Sequence, residues 1–193
     1  MRPFQYSRAR TLADAAQMLA EPETTAIAGG TNLLDLMKLQ VETPGQLADV
    51  NRVGFAEIED TDDGGLRIGA LATHWDIASS HDVEHACSML TEVAGGIGDP
   101  QVRNRGTIGG SLANNDPSAD YPAAVLALKA LITTNKRQIA ADDFFVDMFE
   151  TALDESEIIT RVDFPVAERA AYAKFPNPAS RYAVAGVFVA KTA

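Results

Sequence analysis

Apolar residues recur at Leu12, Ala15, Ala16 and Leu19, the i, i+3, i+4, i+7 spacing of one helix face. Thr11 precedes them as an N-cap, with Asp14 three residues on in a partial capping box. A short apolar run over residues 24–28 reads as a strand, and Gly29-Gly30 as its exit. Residues 33–38 look helical, with Thr31 or Asn32 as the cap, and residues 47–51 read as the next strand. The first fifty residues therefore predict a small β-α-β unit.

After Asn51 the pattern changes, which places a subdomain boundary there. Residues 56–59 and 66–70 flank Asp62-Asp63-Gly64-Gly65, a hairpin signal. Thr73 caps a short helix through Ser80, and residues 84–94 form another that ends at Gly95-Gly96. The segment 97–105 is irregular and basic, with Arg103 and Arg105 near its end. Residues 122–130 read as a helix with proline in its first turn, and 131–134 as a strand. Residues 142–148 are expected to be helical, and 157–164 and 171–175 extended. The last segment, 182–190, carries Val184, Val187, Phe188 and Val189 and reads as a buried strand. Neither an internal repeat nor a low-complexity stretch interrupts this order.

Two glycine-bearing segments carry the candidate chemistry: Ala28-Gly29-Gly30-Thr31-Asn32, and Thr107-Ile108-Gly109-Gly110-Ser111 within a longer polar run to Asp120. Glycine admits close backbone approach, and successive N–H groups in a turn form an anion-binding concavity. A strand–glycine–helix order adds a helix N-terminus facing the first turn. Either segment alone also reads as ordinary turn punctuation. Neither is a G-x-G-x-x-G or G-x-x-x-x-G-K-[ST] fingerprint. Together they predict two loops that cradle a diphosphate.

Composition narrows the partners. The 193 residues, 46% of them hydrophobic, suffice for a real core. A net charge of −11 argues against nucleic acid and anionic membrane surfaces, so any diphosphate must be held by local donors. No apolar run approaches the roughly 20 residues of a membrane span, and the N-terminus does not open like a signal peptide. The single cysteine, Cys87, excludes a cysteine-ligated iron–sulfur cluster within the chain. On these grounds the chain is expected to be soluble and cytoplasmic.

The segments AGGTN (28–32) and TIGGSLANNDPSADYP (107–122) resemble those of the FAD-binding medium subunit of the molybdenum hydroxylases, the carbon monoxide dehydrogenase and xanthine dehydrogenase family, and within it look most like the medium subunit of the aerobic carbon monoxide dehydrogenases. The resemblance runs from Pro3-Phe4 to Lys174 and beyond. It implies an α+β, two-subdomain FAD-binding fold of the PCMH/CO-dehydrogenase flavoprotein type. The divisions expected are 1–52, 53–176 with the TIGGS segment, and 177–193 as the first strand of a largely missing C-terminal domain. On this reading the chain is a truncated form or a natural fragment. The final strand would then lack its pairing partners and form an edge that dimerises or stays mobile.

The resemblance also implies residue roles. Ala28, Gly29, Gly30, Thr31 and Asn32 would line the diphosphate of noncovalently bound FAD from one side, and Thr107, Ile108, Gly109, Gly110 and Ser111 from the other. Asp120 would accept from a ribose or ribityl hydroxyl, and Ile159 and Lys174 would lie near the flavin. Read by themselves, Ile159 is a strand-core residue and Lys174 a solvated lysine. Asn114 and Asn115 either reach the ribityl chain or bond their own loop. Arg103 and Arg105 either offset diphosphate charge or make salt bridges. Tyr121 either flanks the flavin ring or packs, and Trp75 reads as core. His74, His81 and His85 lack the H-E-x-x-H arrangement of a zinc site, and Cys87 reads as a small buried apolar residue.

Electron flow is likewise implied by the resemblance. A molybdenum-cofactor large subunit would oxidise substrate, and [2Fe–2S] clusters of a small subunit would carry electrons to FAD here and on to an external acceptor. A stand-alone flavoprotein oxidoreductase of the same superfamily, and a noncatalytic remnant that binds FAD or partners, are the alternatives. No dinucleotide fingerprint for NAD is present.

Overall fold

Leu47, Ala48 and Val50 are buried in succession, as expected of a strand covered on both sides. That strand, β3 (Gln46–Asp49), is the middle of a three-stranded sheet in a computed structural model describing residues 1–192. β1 (Gln5–Arg8) and β2 (Thr24–Ile27) pair with it in parallel on either side. The crossovers are α1 (Leu12–Leu19) and α2 (Leu33–Lys38). Thr11 caps α1, its side chain accepting from Asp14 N at 3.1 Å. The small core here is Ala9, Ala15 and Val50, with Met18, Ala28, Val53, Leu71 and Ile158 packed around it.

The larger body is an antiparallel sheet in the order β4 (Ile58–Asp60), β5 (Leu66–Gly69), β10 (Ile159–Phe164), β6 (Leu131–Thr134) and β7 (Gln138–Ala140). Between β5 and β6 the chain forms α3 (His74–Ser79), α4 (His81–Gly95), α5 (Pro100–Arg103), α6 (Ile108–Asn114) and α7 (Tyr121–Ala127). Leu90, Val93, Ile108, Leu112, Tyr121 and Val125 of these helices bury against Ile68, Ile132 and Val162 of the sheet. Thr73 caps α3 through a full capping box with Asp76. Ser80 caps α4, and Cys87 breaks that helix with φ −159° and ψ 87°.

Three expectations are corrected. Residues 142–148 are not one helix: α8 (Ala141–Phe144) is a single turn, followed by β8 (Phe145–Asp147), which pairs with β9 (Glu150–Thr151). Trp75 is about half exposed rather than core, because it lies on the outer face of α3 while His74 and Ile77 point inward.

The third concerns the C-terminus. β11 (Ala167–Pro176) and β12 (Ala183–Thr192) pair antiparallel over their whole length, so the last strand does have a partner. It is also not buried throughout. Phe188 is inside, whereas Val184, Val187 and Val189 are more than half exposed. The position 176/177, expected as a division, lies where β11 gives way to the turn of this ribbon; position 52/53 lies between the two larger sheets.

Candidate functional site

The first glycine segment spans the gap between β2 and α2. Gly30 has φ +73°, a conformation that disfavours any side chain, and a Cβ there would press Ile27 and Leu34 at 3.2 Å. Gly29 is required by a close approach: a Cβ would intrude on the Arg105 carbonyl and stand 2.9 Å from Gly106 Cα. The two segments are therefore in backbone contact. Asn32 holds the N-cap position of α2 but makes no side-chain cap bond, its Oδ1 accepting instead from Tyr182 OH at 3.1 Å. Among the described residues, the backbone N–H groups of Gly29, Gly30, Thr31, Asn32 and Leu33 donate to no protein acceptor. Five successive free donors in a partly buried turn are suited to an anion.

The second segment is not the open loop expected. It is the first turn of α6, with Thr107 as N-cap accepting from Gly110 N at 3.1 Å. The backbone donors of its last four residues are consumed within the fold. Ile108 N donates to Ala72 O, Gly109 N to Ala70 O at 2.9 Å, and Ser111 N to Thr107 O. Gly109 is glycine because Ala70 leaves no room, a Cβ falling 2.7 Å from its carbonyl oxygen. Gly106 is pressed against the His74 ring, Nε2 lying 2.5 Å from where a Cβ would be. Gly110 alone is exposed, with only Thr107 Oγ1 near its missing side chain. This segment thus offers a smooth glycine surface and the Ser111 hydroxyl, while free N–H groups come from the first segment.

Behind them stands a buried charged corner. Asp120, just before α7, accepts from Tyr172 OH and from Lys174 Nζ at 2.9 Å, and Lys174 also donates to Gly96 O at 3.0 Å. Burial and the Asp120 charge raise the Tyr172 hydroxyl, so it remains a donor. Lys174 is therefore no solvated surface lysine. Ile159 belongs to the core of the five-stranded sheet. Asn115 takes the left-handed conformation at the end of α6, and its Nδ2 donates to the Asp147 and Glu150 carbonyls at 2.8 and 2.9 Å. It thus holds the β8–β9 turn. Arg103 donates to the Ile97 and Gly98 carbonyls rather than to an acid.

Tyr121 and His74 pack ring against ring at 5.4 Å beneath the second segment, with Tyr121 OH and His74 Nδ1 buried and unpaired. Burial, then the nearby Arg103 charge, lowers His74 to about 4, which leaves the ring neutral. Among the described residues no group of His, Cys, Asp and Glu could hold a metal ion, and no helix is long and apolar enough to cross a membrane.

Sequence reading missed the turn between β11 and β12. Asn177, Ser180, Tyr182 and Val184 join Asp116 and Ser118 in lining a cleft of about 410 Å³. Tyr182 connects that cleft to the first glycine segment through Asn32. The signal was a polar, proline-bearing run, Asn177-Pro178-Ala179-Ser180, between two strands.

Comparison with known proteins identifies the family. Residues 2–167 match the model of the FAD binding domain in molybdopterin dehydrogenase. The glyceraldehyde dehydrogenase medium chain of Sulfolobus acidocaldarius is 36% identical, over 97% of this chain and 69% of its own. The carbon monoxide dehydrogenase medium chain of Hydrogenophaga pseudoflava is 33% identical, over 96% of this chain and 68% of its own. A solved Cu,Mo-CO dehydrogenase chain superposes with a TM-score of 0.93 at 31% identity, covering 98% of this chain and 70% of that one. On the match over residues 2–167, the chain belongs to the family of FAD-binding domains of molybdopterin dehydrogenases.

Proposed function

We propose that this chain is the flavin-bearing medium subunit, or part of it, of a molybdenum hydroxylase-type complex. FAD would take electrons from the [2Fe–2S] clusters of a small subunit and pass them to an external acceptor, while a molybdenum-cofactor large subunit oxidises the substrate. The flavin supplies the redox chemistry, and the protein supplies binding, orientation and electrostatics. The observation that carries this reading is the row of free N–H donors at Gly29–Leu33, seated against Arg105 and Gly106 in a chain of net charge −11. The cleft beside Tyr182 offers polar groups to the rest of the cofactor, and Asp120 and Lys174, bonded to each other here, would have to exchange that pairing to join them.

The relatives' names cover glyceraldehyde, carbon monoxide and nicotine, which favours a substrate chosen by a partner subunit. The finer reading, an aerobic carbon monoxide dehydrogenase-type complex, rests on the resemblance of the two glycine segments. The cytoplasmic placement belongs to this proposal.

The test uses the purified chain with added FAD. Bound flavin absorbance should appear, and chemically reduced flavin should pass electrons to an artificial acceptor. Carbon monoxide, purines and aldehydes should not be oxidised. Turnover of any of them by the chain alone, free of molybdenum, would overturn the electron-outlet reading. A chain that takes up no FAD would favour a remnant without flavin chemistry.

A further inference from the structure

The first glycine segment is held from behind by a side chain outside it. Asn51 Nδ2 donates to the Ala28 carbonyl at 2.9 Å and to Asp49 Oδ1 at 2.7 Å, and its backbone N–H donates to the same Oδ1 at 2.9 Å. Asp49 is buried at the end of β3 and is itself fixed from β1, its Oδ2 accepting from Tyr6 OH and from Arg8 Nε at 2.9 Å. Every acceptor site facing these groups is thus occupied, and the Asn51 amide has one orientation.

A trans peptide points its C=O and N–H in opposite directions across one plane. Fixing the Ala28 carbonyl therefore fixes the direction of the Gly29 N–H, the first of the five free donors. The other face of Gly29 is closed by the Arg105 carbonyl, so the peptide cannot relax by moving that way. We propose that Asn51, oriented by Asp49, is a positioning residue that aims the Gly29 N–H at the ligand's diphosphate. The inference rests on the flavin reading above and adds to it a residue that neither glycine segment contains.

The experiment compares the parent chain with Asn51→Ala, the isosteric Asn51→Asp and the neighbouring control Arg52→Ala. Fluorescence titration gives FAD affinity, calorimetry gives ADP affinity, and the melting temperature is read without ligand. Both Asn51 variants should bind FAD and ADP about tenfold more weakly, the loss of one aligned bond to a charged group. Both variants also lose the Asp49 bond and should melt somewhat lower without ligand, yet still cooperatively, and at saturating FAD the visible circular dichroism of the flavin should be unchanged. Arg52→Ala should match the parent throughout. Folded Asn51 variants with parental affinity would overturn the positioning role. So would a weakening in variants that no longer melt cooperatively, or whose flavin circular dichroism at saturation is altered, which marks general loss of structure. A parent chain that binds neither FAD nor ADP would instead sink the flavin reading itself, and the inference with it.

Discussion

Lys174 Nζ lies 2.9 Å from Asp120 Oδ2, an ion pair whose side chains are only 10% and 5% exposed. The pair joins β11 to the start of α7, and Tyr172, two residues earlier on the same face, donates to the other carboxylate oxygen. Breaking a buried pair from one side leaves an uncompensated charge, which costs about 3–5 kcal/mol. Asp120→Ala should therefore destabilise strongly in urea unfolding. Adding Lys174→Met should recover part of the loss, since methionine needs no partner. Strictly additive losses in the double variant would show that the two charges do not act as a pair.

The glycines of the two segments should separate into structural and ligand-facing sets. Gly29→Ala places a methyl inside the Arg105 carbonyl, and overpacking of that kind costs about 1–3 kcal/mol or more. Gly110→Ala meets only Thr107 Oγ1, at 2.9 Å, on an exposed helix turn, and should change stability by less than about 1 kcal/mol. FAD affinity should nonetheless fall, because the added methyl stands on the exposed glycine surface proposed to meet the cofactor. Thermal melts and flavin titration of both variants decide this. Equal stability losses would contradict the packing difference.

Acid should loosen the sheet junctions before it affects the helices. Burial works to raise the Glu157 carboxyl, but Arg137, the Asp154 N–H and Thr134 outweigh it and hold it at about 2, against an ordinary 4.5. Asp49 is likewise held at about 2, against 3.8, by Tyr6, Asn51 and Arg8 despite its burial. Both pKa values are depressed on folding, so the stability they contribute is complete above about pH 5. It is lost as pH falls towards 2. For Glu157, whose side chain is fully buried, the contribution is on the order of 2–3 kcal/mol. Glu157→Gln should flatten the acid limb of the stability curve between pH 5 and 3. An unchanged limb would remove Glu157 from the account.

Local chemistry made much of this legible. Thr73 announced a helix start, and the short run Leu131-Ile132-Thr133-Thr134, rich in β-branched residues, announced β6. What stayed hidden depends on contacts distant in sequence. Gly109 and Gly110 read as loop, yet they form a helix turn: Thr107 caps it by accepting from Gly110 N, and distant Ala70 leaves no room at Gly109 and takes its N–H. Asn51 is 23 residues from the carbonyl it holds, and Tyr172 is 52 residues from Asp120. The break at Cys87 has no proline or glycine to announce it, and nothing in its surroundings explains it.

The β11–β12 ribbon separates its side chains by face. Tyr172 and Phe188 pair inward with ring centroids 6.0 Å apart, and Lys174 reaches Asp120 from the same side. Outward, the register sets Ala171 opposite Val189, Ala173 opposite Val187 and Phe175 opposite Ala185, an apolar surface in water. Phe188→Ala should thus cost about 3 kcal/mol, as deletion of a buried aromatic does, and should loosen the Lys174–Asp120 corner with it. Val187→Lys with Val189→Lys should leave the melting temperature unchanged, since both positions are more than half exposed. The same double variant should reduce concentration-dependent self-association in sedimentation, because exposed apolar patches of this kind associate. If the lysine variant instead melts early while Phe188→Ala is neutral, the inward and outward faces of the ribbon are assigned the wrong way round.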